Sequence, residues 1–298
     1  MPFAILFSVL GVLLFLFLLY LFLVAPGRAR AVNDPFRGIR LAHRGLHDAT
    51  RAENSLSAFE NAKAHGFGVE LDVRFSKEGT LVVCHDATLK RVAGTERRVV
   101  DMTVEELRAV DLCGTGEGVP TFAEVLRLID GAVPILVEIK QEPDEGDVAA
   151  ATCEMLAGYR GPYLIESFNP KAVGTVKKRL PGISRGLLCC HYTKNPKRRV
   201  FLYRMLERFF LNFLCRPDFI AYNFRDADFL PYRLCKGLFR PMTAAWTTRS
   251  PEEEREALAC GFDTVIFENY LPASATVTEA ERKAAENAVR EKKTASGK

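Results

Sequence analysis

The chain has 298 residues, 48% hydrophobic content and a formal net charge of +4. That is enough apolar material for one large folded domain and too much for a disordered tail. A charge so mild for the length does not make the concentrated basic face that nucleic acid requires, so nucleic acid is not expected as a partner. The eight cysteines show no CxxC spacing, and several sit in apolar runs, which points to buried reduced thiols rather than a disulfide or zinc framework.

Residues 3–25, FAILFSVLGVLLFLFLLYLFLVA, carry no charge. As a helix rising ~1.5 Å per residue they would span about 35 Å, the thickness of a bilayer's hydrocarbon core. The run is longer than a secretory signal core and no Lys or Arg precedes it, which favours a retained membrane anchor over a cleaved signal. Arg28, Arg30, Arg37 and Arg40 follow it, and positive flanks stay in the cytoplasm, so the globular part is expected there. The chain divides into an anchor (1–26), a linker (27–37), one large domain (38–275) and a charged tail (276–298), the last expected to be an exposed helix that frays.

Within the domain, strand-length apolar runs recur at 40–43, 69–73, 135–139, 163–167, 185–189, 218–222, 243–247 and 263–267. Amphipathic segments fill most of the gaps: NSLSAFENAKAHG from Asn54, TVEELRAV from Thr103 and TFAEVLRLI from Thr121, the last two with a Thr cap and a Glu three residues on. Eight β–α units predict an α/β fold, a closed parallel TIM (β/α)8 barrel with helices outside. One irregularity is expected. The turn SKEGT joins 69–73 to 80–84 by too short a link for a parallel crossover, so these two form an antiparallel hairpin or run on as consecutive extended pieces, and the antiparallel pairing would bring His85 close to Asp72.

In such a barrel the chemistry sits at the carboxyl ends of the strands. Glu70 and Asp72 share one face of their strand, while Val69, Leu71 and Val73 point toward the helices. Two carboxylates side by side in an enclosed site repel each other and lose hydration; a hard divalent cation, Ca²⁺ or Mg²⁺, offsets both costs. Glu138 in PILVEIK adds a third acid, with Lys140 two residues on to meet an anionic group beside the cation. His43 and His85 each end a strand and titrate near neutrality, which suits one to take a proton and the other to give one. His47, His65 and His191 lie in loop-like or helical surroundings and are read as structural.

The pieces AHRG at Ala42, ENSLSAFENA at Glu53, GVELDVRFSKEGTLVVCHD at Gly68, VPTFAEVL at Val119, VEIK at Val137, SFNP at Ser167 and AWT at Ala245 resemble, in order, those of the glycerophosphodiester phosphodiesterases. The resemblance runs from about Gly38 to Leu271. It implies hydrolysis of a small-molecule glycerophosphodiester to glycerol 3-phosphate and an alcohol, with a divalent cation as cofactor and a role in phospholipid metabolism. It makes His43 and His85 the acid–base pair and Glu70, Asp72 and Glu138 the metal ligands. It also places Arg44 and Lys140 on the phosphate, Glu53 in support of Arg44, and Trp246 in the wall of the substrate pocket. The attacking oxygen is water or the neighbouring glycerol hydroxyl, the latter giving a cyclic phosphate first. The corner GFDTVIFENYLP departs from the family's Asp-containing ending, with Glu268 and Asn269 in its place.

Other function classes have discriminating features. A phospholipase of the phosphatidylinositol-specific or sphingomyelinase D type would accept intact or lyso-lipids. A non-catalytic lipid-binding barrel would have no use for the histidines and carboxylates. A glycosidase needs its carboxylates on opposite sides of a sugar, which one short strand does not provide. The segment KNPKRRVFLYRMLERFFLNFLCRP, 194–217, reads as one crossover helix packing its apolar side on the barrel, or else as an interfacial helix on anionic lipid.

Overall fold

The computed structural model describes residues 2–27 and 31–296. Nine strands form one sheet: β1 (Arg40–Ala42), β2 (Gly68–Phe75), β3 (Leu81–Val83), β4 (Ile135–Ile139), β5 (Tyr163–Ser167), β6 (Arg185–Cys189), β7 (Phe219–Asn223), β8 (Met242–Thr248) and β9 (Thr264–Phe267). β1 pairs with both β2 and β9, so the eight parallel strands close on themselves, and only β3 runs antiparallel, against β2. The expected barrel and hairpin are both present. In the hairpin Val73 faces Val83, and the Cys84 amide donates to the Asp72 carbonyl at 2.9 Å, which sets His85 beside the acidic strand.

Strand alternation sorts the side chains. Val69, Leu71 and Val73 join Phe59, Ala62, Phe122 and Val125 in an apolar layer between sheet and helices. Leu41, Leu136, Leu164, Leu188 and Ile266 belong to a second cluster, with Phe36 and Phe219. The helices begin where the sequence caps them: Ser55 accepts from the Ala58 amide ahead of Leu56–Ala64. Thr103 and Thr121 each form a reciprocal capping box, with Glu106 and Glu124.

Several expectations shift in detail. Within the stretch 27–37, read as a linker, residues 31–36 lie against the barrel: Ala31–Phe36 form a 3-10 turn, Asn33 donates to the Asp218 carbonyl, and Phe36 is buried. Segment 194–217 is not one helix. It breaks into a 3-10 turn Pro196–Arg198, a helix Phe201–Glu207 and a turn Asn212–Cys215. Phe209, at φ 61°, interrupts the helical path to put its ring in the core against Tyr222. The tail forms a helix, Glu279–Ser296, that is mostly exposed but is held by Glu281 to Arg40 and by Arg282 to the Phe262 carbonyl.

The N-terminal apolar helix, Pro2–Val24, projects from the domain over most of its length and meets it only at its last turns. There Tyr20 packs edge-on to Phe210, Asn212 donates to the Val24 carbonyl at 2.7 Å, and Arg216 donates to the carbonyls of Phe22 and Ala25. Arg28 and Arg30 lie outside the described residues. Arg40 is buried on Glu254 and Arg37 pairs with Asp263, so both are engaged by the fold itself.

Leu71→Ala, which empties a fully buried position between β2 and the helices, is expected to cost about 2–5 kcal/mol of unfolding free energy. Urea unfolding of the detergent-solubilised protein measures it; a change within error of zero would place Leu71 outside the core.

Candidate active site

The carboxyl ends of β1, β2, β4 and β5 deliver the functional side chains. Glu70, Asp72 and Glu138 are all buried, and each offers an oxygen within 4.8 Å of the others'. The register explains the meeting: Asp72 is paired directly with Glu138 across β2 and β4, and Glu138 with Glu166 across β4 and β5. Lys140 stands between two of them, its Nζ 3.0 Å from Asp72 and 2.5 Å from Glu138.

β1 ends in a tight turn that depends on backbone freedom. Arg44 sits at φ 55° and Gly45 at φ 81°, and a Cβ on Gly45 would come within 2.9 Å of Ala58. The turn points the Arg44 amide at Glu70 (3.0 Å) and its guanidinium at Glu53 (2.8 Å) and Asp72 (3.5 Å). Asn54 donates at 2.9 Å to the same Asp72 oxygen that the guanidinium faces, while Lys140 approaches the other oxygen. His43 Nε2 lies 3.9 Å from Glu70, and its Nδ1 lies 3.5 Å from Glu268, which also reaches His47 and Arg249. His85 Nδ1 lies 2.7 Å from Asp86, and Arg74 donates to the His85 carbonyl.

These groups line two connected hollows. A cavity of about 160 Å³ is walled by His43, Arg44, Glu138, Phe168 and Trp246; it shares His85, Glu138 and Phe168 with a groove of about 410 Å³ that runs past Lys140 and Gln141 to Arg198. Trp246 meets Phe168 edge-on, their ring centres 5.6 Å apart. His65 hydrogen-bonds the Asn61 carbonyl and His191 stacks on Phe229, while His47 approaches the site through Glu268.

Electrostatics show what the cluster lacks. Among the described residues, the cations that act most on the four buried carboxylates, Glu70, Asp72, Glu138 and Glu166, are Lys140 and Arg44. Burial, with the neighbouring acids, pushes Glu70 and Glu166 well above the usual carboxylate range and Glu138 up to about 7. Burial would raise Asp72 as well, but Lys140, His85 and Arg44 outweigh it and hold Asp72 ionised. Burial lowers both histidines, His85 to about 4. Glu166 Oε2 is buried without a hydrogen-bond partner. The donor set is all hard oxygen and short of about two positive charges, which fits a divalent cation.

Sequence reasoning passed over Glu166, Asn54, Asp86 and Arg91. Glu166 had a signal: it is the fourth residue of YLIES as Glu138 is of ILVEI, on the same face one strand along. Arg91 had none. It links Asp86 (2.7 Å) to Glu53 (2.6 Å) and so ties the His85 loop to the Arg44 turn.

Comparison with known proteins identifies a family. The sequence pattern of the Glycerophosphoryl diester phosphodiesterase family matches residues 43–209, more than half of the chain. The chain belongs to that family. A glycerophosphodiester phosphodiesterase from Caldanaerobacter subterraneus is 36% identical over 162 residues, 50% of this chain and 65% of the relative. The matched part is thus just under two thirds of that protein. The family member of that name from Thermotoga maritima is 29% identical, covering 78% of this chain and 95% of its own, with a TM-score of 0.59. An Oleispira antarctica phosphodiesterase, solved with the product sn-glycerol-3-phosphate, shares the fold at a TM-score of 0.66 and 20% identity, over 86% of this chain and 99% of its own. The histidines and carboxylates at its strand ends are the residue types that proton transfer and cation binding require.

Glu166→Gln removes a carboxylate whose ionised form the fold disfavours. Because its folded value is raised, its charge weakens folding above the ordinary carboxylate range. In chelator at neutral pH the substitution is expected to raise Tm by about 2–4 °C for each kcal/mol relieved. A fall in Tm by differential scanning fluorimetry would contradict the charge imbalance.

Proposed function

We propose that the protein hydrolyses glycerophosphodiesters to glycerol 3-phosphate and an alcohol, with His43 and His85 as the acid–base pair. The observation that carries this reading is the convergence of both imidazoles on one small cavity beside the carboxylate cluster. Glu70, Asp72 and Glu138 would hold a divalent cation, Ca²⁺ or Mg²⁺. Such an ion supplies positive charge to the phosphoryl oxygens and withdraws electron density from phosphorus.

The remaining work falls to the chain's own side chains. Arg44 binds the phosphate while Glu53 and Asp72 hold its guanidinium in place. Lys140 donates to a second phosphate oxygen, its charge already drawn to the mouth by Asp72 and Glu138. One imidazole takes the proton of the attacking hydroxyl and the other gives one to the departing oxygen. Burial keeps both histidines neutral before substrate arrives, and the diester's negative charge raises their proton affinity on binding. Each has an acid behind Nδ1, Glu268 for His43 and Asp86 for His85, which turns Nε2 toward the substrate. Trp246 and Phe168 form the apolar wall against the glycerol carbons.

The apolar helix is read as a retained membrane anchor. Its last carbonyls are capped by Asn212 and Arg216 of the folded domain; cleavage before residue 24 would leave those donors without the Phe22 carbonyl and the helical turn they close.

His43→Ala or His85→Ala is expected to lower kcat by roughly two to four powers of ten in a glycerol 3-phosphate release assay, and unchanged turnover in either would remove the acid–base assignment. Added Ca²⁺ or Mg²⁺ is expected to raise Tm of the wild type over chelator through binding linkage. Asp72→Asn should abolish that shift, and a shift that survives it would put the cation elsewhere.

A further inference from the structure

Beyond the N-terminal helix, nine large hydrophobic side chains are exposed among the described residues, and seven of them lie between residues 200 and 238: Val200, Phe201, Leu202, Leu214, Leu230, Leu234 and Leu238. The last three recur at every fourth residue of the helix Leu230–Phe239, a single apolar stripe on its outer side. Residues 194–240 also hold eleven Lys and Arg against four Asp and Glu, a net charge of +7 in a chain of +4. Of those four acids Glu207, Asp218 and Asp226 are buried, so the surface offered to solvent is almost wholly cationic.

The two crossovers that carry these residues, β6 to β7 and β7 to β8, are neighbours around the barrel, and the apolar helix is rooted between them. Phe22 meets Phe213 on one side, and the Cys235 thiol meets the Val24 carbonyl on the other. A cleft of about 840 Å³ opens at that root, lined by Leu21, Phe22, Leu238 and Phe239, with Arg216 among its walls. Large apolar side chains interleaved with arginines, continuous with a membrane-length helix, are the makeup of a surface that sits in a lipid headgroup layer.

We propose that this flank of the barrel rests on the same bilayer that holds the N-terminal helix, with the Leu230–Leu234–Leu238 stripe and Val200–Leu202 entering the headgroup layer. The proposal rests on the reading of residues 3–24 as a membrane anchor. The consequence for the site is direct. Arg198, two residues before Val200, lines the groove that begins at His85 and Lys140, so the groove opens along the membrane-facing flank and suits a phosphodiester carried by a lipid.

The test uses the full chain reconstituted in phosphatidylcholine vesicles, with and without phosphatidylglycerol, containing a phosphatidylcholine with a photoactivatable diazirine in its acyl chain near the headgroup. Labelled peptides are mapped by mass spectrometry. The expected result is labelling within 3–22 together with labelling within 200–214 and 230–238. Replacing Leu230, Leu234 and Leu238 together by Ser should lower the label on 230–238 by roughly tenfold and leave that on 3–22 unchanged. The three leucines are remote from the catalytic groups, so turnover of a soluble glycerophosphodiester should be retained; the wild-type map alone decides should the variant not fold. Labelling confined to 3–22 leaves the anchor standing and overturns the flank. Absence of label from 3–22 overturns the anchor and this proposal with it. An unlabelled flank in a dimer whose contact maps to 230–238 assigns the surface to a second copy, and the proposal falls.

Discussion

The mutual repulsion of four carboxylates in a dry barrel mouth is the constraint around which this molecule is arranged. Closing eight parallel strands forces inward-facing residues of adjacent strands into register, so Asp72, Glu138 and Glu166 must meet. Water cannot screen them there, and Lys140 and Arg44 supply only part of the opposing charge. The result is a site with raised carboxyl values, an acid oxygen without a partner, and a geometry that a doubly charged ion completes. Such a cluster weakens the fold taken alone, which is the usual relation between a functional site and its scaffold.

A second feature is how few groups link the parts of the site. Arg91 grips Glu53 and Asp86 at once; Glu53 holds Arg44, and Asp86 holds His85. A shift of the short helix Lys90–Ala93 would therefore disturb both the Arg44 turn and one of the histidines. His43 is braced separately, by Glu268 just after β9, so the two imidazoles have different supports.

The crossover from β6 to β7 stands apart from the other helices. It contributes Arg198 to the groove beside His85 and Lys140, Phe209 to the core, and Asn212 and Arg216 to the root of the apolar helix. A single regular helix could not do all three, because its side chains would follow one stripe. Breaking the segment into short turns lets successive residues point to groove, core and apolar helix in sequence. The apolar helix is thereby joined to the barrel through packed contacts and capped carbonyls, with a defined seat in place of a loose tether.

Much of this was legible in the chain itself. Strand positions, capped helices and the SKEGT hairpin follow from local rules, alternation and turn length, that need no distant partner. The site acids were legible as charges in apolar strands, and the two histidines as strand endings. Glu166 escaped attention because one acid in a strand is unremarkable until closure sets it beside Glu138. Arg91, Asn54 and Glu268 acquired their partners only through contacts across the fold, up to 225 residues apart in sequence for His43 and Glu268. The packing of 31–36 against the barrel and the fragmentation of 194–217 were likewise decided by tertiary packing. Periodicity reports which face of a segment is apolar, but which neighbour covers it, and where a buried ring such as Phe209 must break a helix to reach the core, depends on the closed barrel as a whole.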